Sequence, residues 1–211
     1  MERPERHKYP FIALGGLTGP GKTTLGRAIF NALDGRGAEP MHEPMRVRVF
    51  CCDLIRKAIY GVPPGVRAPG GVDAKRLNEA YSDEFKRRVY DLLIAESVRA
   101  AEAGCYAVAD ATFTSSDNRR RIQEAAERAA VPLFCFWCVA PADIIRQRVG
   151  DRAANRSDLF SDGDGKELDR QFGLGLETVP HGWREICTDR SADLTCREVL
   201  DVVGRHWQSG S

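Results

Sequence analysis

The stretch Gly16-Leu17-Thr18-Gly19-Pro20-Gly21-Lys22-Thr23-Thr24 stands just after the apolar run Phe11-Ile12-Ala13-Leu14 and just before Leu25, Ala28, Ile29, Ala32 and Leu33, which recur at helical spacing. Gly16, Gly21, Lys22 and Thr23 satisfy the pattern Gly-x-x-x-x-Gly-Lys-Ser/Thr, and a strand before with a helix after is the context that pattern requires. Glycines let backbone N–H groups turn inward around phosphates, and a helix starting near Lys22 aims its unpaired amides and its dipole at the anion. Lys22 is then placed to reach the β- and γ-phosphates, and Thr23 to offer its hydroxyl to Mg²⁺. The nine residues are read as a nucleotide-binding phosphate loop rather than a glycine-rich turn.

The frame around this loop is a chain of 211 residues with 43% hydrophobic content. Such a chain buries about 70% of its unfolded surface, enough for one sizeable α/β domain. The formal net charge of +1 provides no global field to capture nucleic acid or anionic membrane, so anion binding must come from local clusters. Seven cysteines without a signal peptide point to reduced thiols and a cytoplasmic protein. No apolar run approaches the roughly 20 residues of a membrane span, so no membrane partner is expected.

Outward from the loop, residues 1–8 read as a charged lead-in, 9–205 as a single domain and 206–211 as a tail. The uninterrupted apolar character of 9–15 suits a central parallel strand covered on both faces. A polar loop at 35–44 separates the first helix from a second strand at 46–52, which ends at Asp53 before a helix at 54–60. Residues 61–71, with Pro63, Pro64 and Pro69, read as a loop over the site. A long helical pattern at 72–103 carries Leu77, Tyr81, Phe85, Val89 and Leu93 toward the core. A strand at 105–109 closes on Asp110, and Ser115 or Ser116 caps a helix running to Ala130. The strand at 131–139 contains Cys135 and Cys138, which a period of two sends to opposite faces, so this Cys-x-x-Cys is not read as a metal site. Pro141 opens a helix through Ile144, Ile145 and Val149. Residues 157–165 read as a flexible loop whose Asp-Gly-Asp-Gly run lacks the remaining ligands of a calcium site. A short helix at 167–172, irregular chain through Trp183 and a helical or strand-helix element at 193–203 complete the sheet edge.

Several polar residues fall where ligands collect, at the ends of strands in an open parallel sheet. Asp53 is suited both to cap a helix and to accept a proton from an attacking hydroxyl. Arg56, three residues on, shares its helical side and could hold an anionic group of an acceptor. Asp110 has the look of a magnesium-side carboxylate, and the alanine after it removes the carboxylate pair by which many hydrolysing ATPases activate water; this favours transfer to an acceptor. Arg119, Arg120 and Arg121 oppose the dipole of their helix in its first turn, a local conflict that singles out Arg120 for an acceptor-binding role. Arg148 and Arg152, four apart and therefore neighbours, could stabilise charge on a transferring phosphoryl group, whereas Arg146 points away from them.

The order GGLTGPGKTT, CCDLIRKAIYG, AGCYAVADAT, NRRRIQEAA, APADIIRQRVGDR and SDGDGKELDRQ resembles the phosphate-loop kinases grouped with zeta toxins, gluconate kinases and polynucleotide 5′-hydroxyl kinases. It is most similar to the bacterial ATP-binding kinase module found alone or fused to aminoglycoside-phosphotransferase-like domains. The resemblance spans about 11–171. It implies a three-layer α/β fold of the phosphate-loop NTPase type, a parallel five-stranded sheet between helices with a small helical and loop lid, and the Asp53 strand beside the Asp110 strand. It also implies that Asp53 is the acceptor-side base with Arg56 its companion, that Asp110 is the carboxylate of the Asp-Ala-Thr segment, and that Arg148 and Arg152 are lid arginines. Ser161 and Asp162 match a pair usually followed by alanine, where Gly163 stands here.

The resulting expectation is an ATP- and Mg²⁺-dependent kinase acting on a hydroxyl of a small-molecule acceptor. Lys22 and the loop would hold the triphosphate, Thr23 and Asp110 the metal, and Asp53 the acceptor. The alternatives are a 5′-hydroxyl kinase of nucleic-acid ends and a non-catalytic nucleotide-binding regulatory module. No Asn-Lys-x-Asp tetrad is present to read guanine.

Overall fold

The structure, a computed structural model, describes residues 8–36, 45–59, 61, 82–155 and 165–208. In chain order the elements are β1 (Phe11–Gly15), α1 (Lys22–Leu33), β2 (Val47–Cys51), α2 (Cys52–Ile59), α3 (Asp83–Glu102), β3 (Tyr106–Asp110), α4 (Ser116–Arg128), β4 (Leu133–Val139), α5 (Ala142–Asn155), α6 (Gly165–Gly173), β5 (Arg184–Cys187) and α7 (Ala192–Gln208). The strands form one five-stranded sheet in the order β2-β3-β1-β4-β5. Every ladder is parallel, with Leu14 opposite both Asp110 and Phe136, and Cys51 also opposite Asp110. The expected three-layer architecture is present, and the strand before Asp53 does lie beside the strand ending at Asp110.

The alternation of a strand's side chains divides the core between the two faces of the sheet. Phe11, Ala13, Ala107 and Ala109 pack with Cys52, Val89, Leu93, Ile122 and Ala126 from α2, α3 and α4. Ile12, Leu14, Val108, Phe136 and Ile186 pack on the other face with Leu25, Ile29, Cys196, Val199 and Val203 from α1 and α7. Because β1 is covered on both sides, all five of its residues are buried. Cys135 packs against the first cluster and Cys138 within the second, so the two thiols do lie on opposite faces.

Three boundaries differ from the sequence reading. The helix expected from residue 72 begins at Asp83: Ser82 is extended (φ −61°, ψ 152°), and its side chain accepts a hydrogen bond from Phe85 N–H. This N-cap ends any continuous helical run through that point, and 72–81 lie outside the described residues. Asp53 is not the cap of α2 but its second residue, since the helix starts at Cys52. The chain after Trp183 is a strand, Arg184–Cys187, whose four residues leave too short an alternation to stand out. Most of the proposed 61–71 loop and the Ser161-Asp162-Gly163 segment also lie outside the described residues. No helix among the described residues is long and apolar enough to cross a membrane.

Candidate active site

The phosphate loop leaves β1 at its buried carboxyl end and enters α1 at Lys22. Gly16 has φ +129°, and a Cβ there would come within 2.5 Å of the Cys138 carbonyl oxygen. Only glycine lets the chain turn so close to β4. Gly21, also at positive φ, is the N-cap of α1, where it makes no side-chain cap, and no acidic residue occupies the helix's first turn. The amino end of α1 therefore keeps its dipole unopposed, as an anion site requires. Lys22 is buried, and its ammonium donates to the Leu17 carbonyl oxygen across the loop. Thr24 is exposed on the first turn of α1.

Thr23 and Asp110 meet at the carboxyl ends of α1's loop and β3. The Thr23 hydroxyl donates to Asp110 Oδ2 at 2.6 Å. Asp110 is 3% exposed, and burial raises its carboxyl above the usual carboxylate range. The Lys22 ammonium and the Thr23 hydroxyl pull in the opposite direction, the Asp53 carboxylate adds to the rise, and the Cys51 thiol lowers it by hydrogen bonding. These four neighbours come from α1, α2 and β2, so one buried carboxyl gathers the influence of three elements.

Asp53 and Arg56 form an ion pair, Arg56 Nη1 to Asp53 Oδ1 at 2.6 Å, with both side chains mostly buried. Their i,i+3 spacing on α2 makes the pair local, and β2 delivers it beside Asp110. Burial, and after it the Asp53 carboxylate, also pushes the Cys52 thiol far above its ordinary value.

The turn after Asp110 is strained and deliberately held. Phe113 has φ +49°, a conformation that non-glycine residues rarely adopt. Its N–H donates to Tyr90 Oη at 3.1 Å, Tyr90 Oη also shares a hydrogen bond with Thr112 Oγ1 at 3.3 Å, and Arg119 Nη1 donates to the carbonyls of Phe113 and Thr114. The Phe113 ring lies 5.2 Å from Trp183, and Trp183 meets Trp137 edge-on at 5.7 Å. Trp183 is 7% exposed and its Nε1 has no hydrogen-bond partner among the described residues.

Of the candidate arginines, Arg148 lies against the phosphate loop, donating from Nη1 to the Pro20 carbonyl at 2.9 Å and from Nη2 to the Thr188 carbonyl at 2.8 Å. Arg152 Nε approaches the Arg148 carbonyl at 3.4 Å, one turn along α5. Arg146 turns elsewhere, to Asp169 and over the Phe172 ring. Arg120 is taken up by Asp117 and Glu124 of its own helix, both at 2.6 Å, on an exposed face. Arg119 is instead the member of the triplet that reaches the turn after Asp110. Sequence reasoning noted Arg119 but preferred Arg120, and it passed over Tyr90, Gln171, Trp183 and Thr188. The only signal for Arg119 was the misplaced charge of its helix start, and the others belong to no motif.

The donors brought together suit Mg²⁺. Thr23 Oγ1 and Asp110 are hard oxygen ligands, few in number, as expected where phosphate oxygens and water complete the octahedron. No group of three or more His, Cys, Asp or Glu able to hold a metal by itself occurs among the described residues.

No curated protein matches the chain. Among solved structures the fold is similar to that of APS kinase from Mycobacterium tuberculosis in complex with AMPPNP and APS, at 16% identity and TM-score 0.63 over 93% of this chain and 98% of that one. It is similar also to a gluconokinase from Sinorhizobium meliloti, at 16% identity and TM-score 0.58 over 97% and 96%. A third likeness is to Chaetomium thermophilum Kti12 in complex with ADP-AlF3, at 16% identity and TM-score 0.63 over 93% and 98%. At such identities the likeness is one of fold. Residues 11–172, from β1 into α6, match the AAA domain family, and with the phosphate loop, the Asp110 carboxylate and the first four strands of the sheet inside that span, the chain belongs to this family.

Proposed function

We propose that the protein is an ATP- and Mg²⁺-dependent kinase that transfers the γ-phosphoryl group to a hydroxyl of a small molecule. The observation that carries this reading is the convergence on Asp110: its buried carboxyl accepts the Thr23 hydroxyl from the first turn of α1, next to Lys22, and lies opposite Cys51, two residues before Asp53. In the proposed arrangement the loop amides and Lys22 hold the triphosphate. A Mg²⁺ held by Thr23 and Asp110 would neutralise developing phosphate charge. Asp53, paired with Arg56, orients the acceptor hydroxyl and takes its proton. Arg56 is the candidate partner of an anionic group on the acceptor. Arg148 and Arg152 supply positive charge from α5 as the phosphoryl group moves.

The similar fold of kinases acting on small molecules supports this assignment. A kinase of nucleic-acid ends is less well supported, because Arg120 and Arg121 of the basic run are engaged by Asp117, Glu124 and Asp91. A purely regulatory nucleotide module would bind ATP without acceptor-stimulated turnover.

The test is ADP release from ATP across sugars, nucleosides, antibiotics and 5′-hydroxyl oligonucleotides, beside thermal melts with MgATP. ADP release stimulated by a small alcohol, and MgATP stabilisation abolished by Lys22→Ala, are expected. Stimulation by oligonucleotides alone would transfer the assignment to the nucleic-acid reading. Stabilisation unchanged in Lys22→Ala would remove the site.

A further inference from the structure

Thr18 and Gln171, 153 residues apart, form a closed hydrogen-bonded pair. The Thr18 backbone N–H donates to Gln171 Oε1 at 2.7 Å, and Gln171 Nε2 donates back to Thr18 Oγ1 at 3.4 Å. The second amide proton goes to Glu167 Oε1 at 2.8 Å, one turn earlier on α6. Glu167 is itself held by Arg170 through Nε at 2.8 Å and Nη2 at 2.7 Å. A flipped amide would set donor against donor at Thr18 and oxygen against carboxylate at Glu167, so the network admits one orientation.

Gln171 is 2% exposed and Thr18 7%. The position lies beside an apolar cluster of Leu17, Ile145, Val149 and Leu168, with Phe172 packed against it. Packing there calls for an apolar side chain, and a buried amide is costly unless its hydrogen bonds are made. The amide is used on the phosphate loop itself, at the third of its nine residues. The loop's other limb is held separately, at the Pro20 carbonyl, by Arg148 and by the Thr188 hydroxyl.

We propose that Gln171 is a positioning residue for the phosphate loop: its amide fixes the Thr18 peptide, so that α6 and the phosphate cradle keep one geometry and shift together when nucleotide enters. The consequence for affinity rests on the nucleotide-binding reading above, whereas the hold on Thr18 does not.

The experiment uses the full chain as wild type, Gln171→Met, and the exchange variant Glu167→Gln with Gln171→Glu. Methionine keeps the length and bulk but removes the three hydrogen bonds. The exchange variant restores an acceptor for the Thr18 N–H and a 167–171 hydrogen bond of reversed polarity. Amide hydrogen exchange at Thr18 should quicken at least tenfold in Gln171→Met and return toward wild type in the exchange variant, while other loop-independent amides are unmoved. Calorimetric Kd for MgADP should rise about tenfold in Gln171→Met, the scale of one buried donor left unmet. Unchanged Thr18 exchange, or unchanged Kd in a wild type that binds, would overturn this inference alone. A wild type that does not bind MgADP would overturn the nucleotide reading and the affinity consequence with it, while Thr18 exchange still decides the hold of Gln171. Should Gln171→Met fail to fold, slow Thr18 exchange in a folded exchange variant supports the proposal and rapid exchange overturns it.

Discussion

The Thr23 hydroxyl donates to the Asp110 carboxylate across 2.6 Å, joining the start of the first helix to the end of the third strand by one polar contact. Asp110 is opposite Leu14 on one side and Cys51 on the other, so three strands end around it. The contact brings together two oxygen-bearing side chains from different elements.

Replacing Asp110 by asparagine separates stability from function. Burial raises the folded carboxyl above its ordinary value of 3.8, so the folded state favours the protonated form. As pH rises from 3.8 through the raised folded value, ionisation costs the folded state stability, and the cost is complete once pH has passed that value. Asp110→Asn should therefore melt above wild type at pH 7 without metal, by a margin that narrows as pH falls toward 3.8. The same variant should lose the Mg²⁺-dependent part of nucleotide stabilisation, measured by melts with and without magnesium.

Asp53→Asn keeps a hydrogen-bond acceptor for Arg56 but removes the carboxylate proposed as the base. Transfer should fall by about 10² or more, the usual scale for loss of general-base catalysis, while nucleotide Kd holds within a few-fold. Steady-state ADP release and calorimetry on the same preparation check both halves. Normal turnover would dismiss Asp53 from the mechanism.

A methyl group at Gly15 would meet Trp183 Cζ3 at 2.5 Å and Trp137 Cε3 at 2.7 Å. Both indoles are buried and in contact with one another, so neither can retreat easily. Gly15→Ala should destabilise by about 1–3 kcal/mol through overpacking, seen as a lower denaturation midpoint with an unchanged slope. An unshifted midpoint would mean the indoles have room to yield.

Hydrogen bonds from Arg170 hold the Glu167 carboxyl below its ordinary value of 4.5. A lowered folded pKa contributes stability that is complete above 4.5 and lost as pH falls through the folded value. The wild type should exceed Glu167→Gln by a surface-pair margin of about 0.2–1 kcal/mol at pH 7. Denaturant titrations should show that margin constant down to about pH 5 and closing only in stronger acid.

The parts legible in sequence were those in which local pattern and chemistry coincide. The apolar run of β1, the spacing of Gly16, Gly21 and Lys22, and the carboxylate that closes β3 each announce a strand end or a phosphate loop without tertiary information. Asp53 was legible as chemistry, but the helix start was misplaced by two residues, because α2 begins at Cys52, directly after β2 ends at Cys51. Strand β5 escaped because Arg184, Glu185 and Cys187 are not buried and only Ile186 is. The hold of Gln171 and Thr188 on the loop has no sequence signature at all: a single polar residue on a helix or strand end acquires its partner only when distant segments meet. Arg120 shows the converse, since carboxylates at i−3 and i+4 captured the side chain whose charge had drawn attention.

The indole pair under Gly15 has a practical corollary. Trp137 and Trp183 sit edge to face, 5.7 Å apart, beneath the bend where the loop departs. Two chromophores at that separation exchange excitation, so near-ultraviolet circular dichroism and intrinsic emission from this pair furnish a label-free optical gauge of the loop's foundation, readable in the same cuvette in which nucleotide is added.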